Sequence, residues 1–519
     1  MKRMPYLLAW LLIAALPALA IGPAARGSRA IDVDNPPQGT FVDDWMEIYL
    51  GDSKAGYANS TFTREGDEII SRMLISMSVG REAVAVKVSV ATSSHETLDG
   101  RVLAFDNITN MSNFQTSLSG RVRDGKVTVT KSVGNGDAAI PAPPETFDFP
   151  KGALMSWGLF RKERELKLVE GTTAEVAIYE PAIKLDEAVK SSLTVGGRER
   201  VQIGRKQVEA IRVEQTLATD MGEFKMPSWV DEEWNPLAIE YPFPGIGALR
   251  MIRSDRATAM KDFTAPEFFQ PTIVRVHKHI DREAARKITY RISVTGKGDD
   301  LPPLPTTGMQ TSSNVEARSA ELVVQRQDHA SLKASAKIAS ADELDASVRP
   351  FLAPSLYINC DDPAVIEMAK DAAAGEQEAY ALVDKLRRYV TREIKEKGLD
   401  VGFASASEVC RERKGDCSEH AVLLAALARA RGIPARVVTG LVYVPTFAGH
   451  DDVFGFHMWT QVYLAGQWID IDAAQRETDC NPTHIALAVL SNKESSMSEA
   501  AFALLPVIGR LKIEVLKIE

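Results

Sequence analysis

Hydrophobic and polar positions divide the chain into distinct textures. From about residue 40 to 265, short runs alternate apolar and polar side chains, as in Met46-Glu47-Ile48-Tyr49-Leu50, Arg81 to Val90 and Lys126 to Thr130. Glycines such as Gly51, Gly56, Gly100 and Gly120 punctuate them. A period of two between turn residues predicts half-buried strands joined by tight turns, so 40–265 reads as an antiparallel β domain whose first hairpin runs from Trp45 to Tyr57. Trp157, Trp229 and Trp234 lie in it, and large aromatics in such a domain serve as core more often than as a ligand groove. A smaller β unit follows over 270–345, with alternating runs at Ile288 to Val294 and Ala320 to Val324 and a long Pro-containing loop from Gly296 to Asn314. His277 and His279 share one face if they lie on a strand, but without a third ligand they read as solvated surface.

The period changes over 355–490. Glu376 to Lys397 places Val383, Leu386, Val390 and Ile394 on one helical stripe. A second helix opens at Gly415-Asp416-Cys417-Ser418-Glu419-His420, repeats Ala421, Leu424, Ala425 and Ala428, and ends at Gly432 ahead of Pro434. Asp416 is a good N-cap, which puts Cys417 in the first turn. Unpaired N–H groups and the positive end of the dipole there are expected to lower the thiol pKa and to steady an oxyanion.

Downstream, Phe454 to Leu464 and Trp468 to Asp472 read as strands around a two-residue turn, Ala465-Gly466. In that register Leu464 faces Gln467, Trp459 faces Asp472, and His457 becomes the diagonal neighbour of Asp472 on one sheet face. A carboxylate beside an imidazole fixes its tautomer, and a Cys at a helix start supplies the nucleophile, so Cys417, His457 and Asp472 are the candidate catalytic residues of an enzyme. His420 follows Cys417 on the same helix and lacks a carboxylate to orient it. Glu419 and Trp459 are the candidate substrate-binding residues, with helix capping and packing over the site as their alternative roles. The polar stretch before Phe454 is expected to be a loop rimming the site, with His450 exposed on it.

These motifs resemble the transglutaminase-like branch of the papain-like cysteine enzymes. The shared elements are the GDCxE-type helix start at Gly415 to Glu419, Gly432-Ile433-Pro434-Ala435-Arg436, His457-Met458-Trp459, and Trp468 to Asp472. The resemblance covers 355–490 and implies Cys417 as nucleophile, His457 as general base and then acid, and Asp472 as orienting carboxylate. It further implies acyl transfer from peptide or protein amides through a thioester. Hydrolysis is the expected outcome; protein cross-linking, or a noncatalytic peptide-binding module of the cell envelope, are the alternatives. The expected fold class is α+β: a C-terminal papain-like domain whose helix-borne Cys packs on an antiparallel sheet, preceded by antiparallel β domains and followed by a C-terminal extension, 491–519.

Composition adds limits. A 519-residue chain with 45% hydrophobic and 25% charged residues is ordinary globular protein of about three domains. A net charge of −9 without a basic cluster argues against nucleic acid as a partner. Lys2 and Arg3 precede the apolar Leu7 to Leu16, and Ala18-Leu19-Ala20 fits a cleavage site, so 1–20 reads as a signal peptide. The mature chain, without a membrane span, would be periplasmic or extracellular, or held at the envelope by an uncleaved signal. With Cys417 reserved for chemistry, Cys360 with Cys480 is the expected disulfide and unpaired thiols the alternative, Cys410 reading as a small buried hydrophobe. No Cys-x2-Cys, His-x3-His or EF-hand spacing occurs, so neither metal nor cofactor is expected.

Overall fold

The computed structural model describes residues 31–519 except 82–83, 112–113, 135–138, 205, 220–221, 244–246, 267–272, 297–299, 336, 396–403, 448, 493–503 and 505–506. The leader expected at 1–20 lies outside the described residues. Two compact units divide between Phe268 and Phe269. Among the described residues, no helix is long and apolar enough to cross a membrane.

The first unit is one antiparallel sheet of 15 strands among the described residues. Strands from Gly39–Leu50 to Lys126–Val133 each pair with the next in sequence, and a second meander runs from Thr173–Ile178 to Gly247–Ser254. The two meanders join where Ile48 lies opposite Met251. Buried Val42, Phe62, Ile69, Trp157 and Phe160 cluster in its core. Trp157 sits on a helix, Ser156–Glu165, whose N-cap residue Met155 makes no side-chain bond. Glu96 from the strand Val84–Thr97 replaces that cap, accepting the N–H groups of Trp157 and Gly158 at 2.8 Å each. Trp234 is buried as well, and Trp229 packs against the Val201 and Ala210 cluster.

The second unit holds two antiparallel sheets. In the larger, Ala435–Phe447 lies between His450–Leu464 and His484–Val489, while Gln467–Ile471 and Val274–Arg275 pair with His450–Leu464. The helix Cys417–Ala430 packs against His450–Leu464 and Ala435–Phe447. Every residue from Cys417 to Arg429 is buried, so this helix is surrounded on all sides and has no solvent face. Its polar side chains find partners inside the protein, as where the Arg429 guanidinium donates through Nε to the Ala435 carbonyl at 2.8 Å and through Nη1 to Asn492 Oδ1 at 2.6 Å.

Several expectations change here. The strand Leu511–Ile518 pairs with Lys287–Val294, Ile513 opposite Ile292, so the tail read as an extension forms an edge of the four-stranded sheet. The segments 270–345, 355–490 and this tail consequently belong to one compact unit. The stretch before Phe454 is a hairpin rather than a loop, since Phe447 pairs with His450. His277 and His279 lie beyond the short strand Val274–Arg275, and His279 bonds Asp452. Cys360 and Cys480 are not bonded: all four cysteines are buried free thiols. The Cys360 sulfur faces the Leu352 carbonyl instead, at 3.7 Å, and a count of cysteines carries no information about their separation.

Gly440 marks the tightest contact of the larger sheet. A Cβ there would lie 2.1 Å from the Ile485 carbonyl oxygen and 2.8 Å from the Trp459 ring. Gly440→Ala is expected to destabilise the second unit by about 2 kcal/mol or more through overpacking. Urea unfolding followed by tryptophan fluorescence checks this, against an unchanged midpoint for the same substitution at half-buried Gly197, where a Cβ would meet only the Glu170 carboxylate at ordinary contact distance.

Candidate active site

The Cys417 helix begins under local constraint. Gly415 has φ +144°, and a Cβ on it would stand 2.3 Å from Glu419 Cβ, so glycine is required where the chain turns into the helix. Asp416 Oδ1 accepts the Ser418 N–H at 2.9 Å, while Glu419 Oε2 accepts the Asp416 N–H at 2.8 Å, completing a capping box. Glu419 also accepts the Ala404 N–H at 3.2 Å. Burial and then the neighbouring Asp416 push the Glu419 carboxyl well above the usual range.

Cys417 is 3% exposed. Burial, followed by the charge of Asp416, pushes its thiol well above the ordinary value; the backbone N–H of Met458, donated to the sulfur, acts in the opposite direction. The lowering expected from the helix start is thus reversed. Water is excluded, and the Asp416 carboxylate, which caps the helix by accepting the Ser418 N–H, sets negative charge beside the sulfur.

His457 and Asp472 are brought together by the hairpin. Ala465 and Gly466 have φ of 52° and 77°, the two left-handed positions of a type I′ turn. Leu464 lies opposite Gln467 and Thr460 opposite Ile471, so Asp472 follows at the level of Trp459, as the diagonal neighbour of His457. His457 Nε2 meets Asp472 Oδ2 at 2.7 Å. His484 Nε2 meets the same oxygen at 3.0 Å, and the Gln475 N–H donates to Oδ1 at 2.8 Å. Burial pushes the Asp472 carboxyl up, but the charge and hydrogen bond of His457, joined by those of His484, outweigh it and hold the group ionised below the usual carboxylate range.

The strand His450–Leu464 is also tied to the Cys417 helix. Along its outer edge it pairs with Val274 at Phe454 and with Ile471 at Thr460. Met458 falls in the gap, and Thr460 Oγ1 donates to the Ala421 carbonyl of the helix at 2.9 Å. Trp459 stacks on the His457 ring, centroids 6.2 Å apart and planes 19° apart, and its indole N–H donates to Asp470 at 2.6 Å.

Cys417, His457 and Asp472 are all buried, as are Trp459 and Glu419, and His457 meets Asp472 directly. His420 turns back to the Asp416 carbonyl at 2.5 Å, and His450 faces Arg275 at 3.2 Å. His484 was not singled out in the sequence. Its only local signal is a histidine at the head of an apolar strand shortly after Asp472. Among the described residues, two groups, His457 with Asp472 and His484, and Glu477 with Cys480 and His484, gather potential metal-donor atoms within 4.8 Å. In both, the carboxylates and the His484 ring are already engaged: Glu477 with Arg282 and Asn481, Asp472 with its two histidines.

The transglutaminase-like superfamily model matches residues 366–473, the stretch that holds the helix, the hairpin and Asp472. The chain carries a transglutaminase-like domain. No curated protein sequence matches the chain. Among solved structures, it is similar to a candidate cysteine protease from Cytophaga hutchinsonii at 19% identity and TM-score 0.29, over 45% of this chain and 86% of that one. A beta-barrel-like protein of a domain of unknown function from Brucella abortus aligns at 11% identity and TM-score 0.29, over 41% of this chain and 95% of that one. A candidate protease from Parabacteroides distasonis aligns at 10% identity and TM-score 0.17, over 74% and 68%. Scores this low establish no shared whole-chain fold.

The raised thiol of the transglutaminase-like domain has a measurable consequence. Iodoacetamide is expected to label Cys417 slowly at about pH 6, with a rate that climbs through and beyond the ordinary thiol range near pH 8.5 instead of reaching an early plateau. Mass spectrometry of the Cys417 peptide across that pH series checks it.

Proposed function

We propose that the chain is an exported cysteine-dependent enzyme that cleaves peptide or protein amides through a thioester on Cys417. The observation that carries this is His457 on Asp472 at 2.7 Å, on the same strand whose Thr460 Oγ1 donates to the Ala421 carbonyl of the Cys417 helix at 2.9 Å. The transglutaminase-like match over the same residues supports a cysteine-type enzyme.

With Nε2 donating to the ionised Asp472, the nitrogen of His457 left to accept a proton is Nδ1. Since the resting thiol is protonated, the first step is general-base attack: the Cys417 S–H proton passes to Nδ1 as sulfur bonds to the amide carbon. The tetrahedral intermediate collapses, the C–N bond breaks, and His457 returns the proton to the leaving amine or ammonia. Water then adds to the thioester with its proton taken by His457; the C–S bond breaks, the acid departs, and the thiol is restored. An amine in place of water gives cross-linking. Hydrolysis is the preferred outcome. Glu419 and Trp459 are buried and engaged with the protein itself, so they act by holding Cys417 and His457 rather than by contacting substrate. Export rests on the basic and apolar pattern of the first twenty or so residues.

Cys417→Ala and His457→Ala are expected to lower turnover at least about a thousandfold, and Asp472→Ala less, because orientation is lost while nucleophile and base remain. Incubation with a Gln-containing peptide and a labelled amine tests the reaction: ammonia without label in the product supports hydrolysis, and incorporated label supports transfer. Undiminished activity in Cys417→Ala would remove the thiol from the mechanism.

A further inference from the structure

We propose that His484 is a positioning residue held as a permanent imidazolium, which neutralises Asp472 and thereby sets the pH range in which Cys417 and His457 exchange a proton. The inference rests on the proposed function for its consequence, but the charge state stands on geometry alone. Both ring nitrogens of His484 face atoms that can only accept: Nε2 the Asp472 carboxylate at 3.0 Å, and Nδ1 the Asn481 carbonyl oxygen at 3.2 Å. A neutral imidazole has one N–H and would leave one of these contacts as lone pair against lone pair. The side chain is 1% exposed, so water cannot supply the missing proton.

The surrounding charges agree. Facing His484 are Asp472 and His457, Asp470 beyond the Trp459 ring, Glu477, Cys480 and Arg282. Glu477 is matched by Arg282 at 2.5 Å, which leaves Asp472 as the direct counter-charge of His484. Burial alone pushes His484 down; the hydrogen bond to Asp472 and the charges of Glu477 and Asp472 reverse it, and the group is raised. A raised His contributes stability below its unfolded value that is lost as pH climbs through the folded value.

For the reacting pair, the result is a carboxylate that orients His457 while its charge is balanced from the other side. Removing that cation strengthens proton binding at every neighbouring group, so the sign of the effect is fixed.

Full-length protein labelled with 15N at histidine, in the Cys417→Ala background, reads the charge directly. One histidine is expected to remain doubly protonated at about pH 8, where a free imidazole is neutral, and its signals should vanish in His484→Gln. A neutral, single-tautomer His484 at that pH overturns the proposal. Should His484→Gln fail to fold, His484→Asn serves for the assignment. In the Cys417-containing protein, His484→Gln should move the pH profile of Cys417 alkylation upward by about one unit; a folded variant with an unshifted profile overturns the positioning role. Neither measurement needs a substrate. A doubly protonated His484 and a shifted profile in a protein that cleaves no amide would sink the proposed function and leave this inference standing.

Discussion

A carboxylate buried away from water persists as an anion only where donors and opposite charge surround it, and Asp472 meets that condition with two imidazoles on one oxygen and a backbone N–H on the other. The rest of the second unit is arranged around this requirement. The I′ turn sets the register that lifts Asp472 to His457. Gly440 lacks a side chain opposite His457, so that Trp459 can lie over the imidazole and His484 can approach from the strand on the other side. Without any one of these partners, the groups that remain would carry an uncompensated buried charge, which costs more than the interaction itself contributed.

Much of this cluster was legible because it is local. The Asp416 and Glu419 capping box, Gly432 at the helix end, and Ala465-Gly466 between two apolar runs are short-range signals, and each determines geometry within a few residues. What escaped was non-local. His484 reaches Asp472 because its strand pairs with Ala435–Phe447, and no periodicity announces which strands become neighbours. The pairing of Leu511–Ile518 with Lys287–Val294 joins segments more than two hundred residues apart, so the tail was invisible as sheet. The Cys417 helix carries Ser418, Glu419, His420 and Arg429, which suggest a polar face, yet all are buried; their partners come from elsewhere in the fold. Similarly, the Val444 to Phe454 stretch looked like a loop because its aspartates are polar, although Thr446 and Asp451 pair across a hairpin and bond each other at 2.9 Å.

The error over the Cys417 thiol is the most instructive. A helix start lowers a thiol pKa when its N–H groups are free to face the sulfur. Here the Asp416 carboxylate accepts the Ser418 N–H, and the sulfur is buried beside that charge. Burial does most to raise the thiol, and the Asp416 carboxylate of the capping box that made the helix predictable adds to it.

A protonated resting thiol changes what must be supplied in the transition state of the proposed reaction. A preformed thiolate would need stabilisation at all times; a neutral pair separates charge only while a carbonyl is under attack, and the fixed Asp472 then faces a nascent imidazolium on His457. An unbalanced carboxylate would favour that imidazolium so strongly that the proton would be slow to move on to the leaving amine. Balancing Asp472 with a second, non-exchanging imidazolium leaves its orienting hydrogen bond intact and weakens its hold on the moving proton. The same base can then serve as acid one step later.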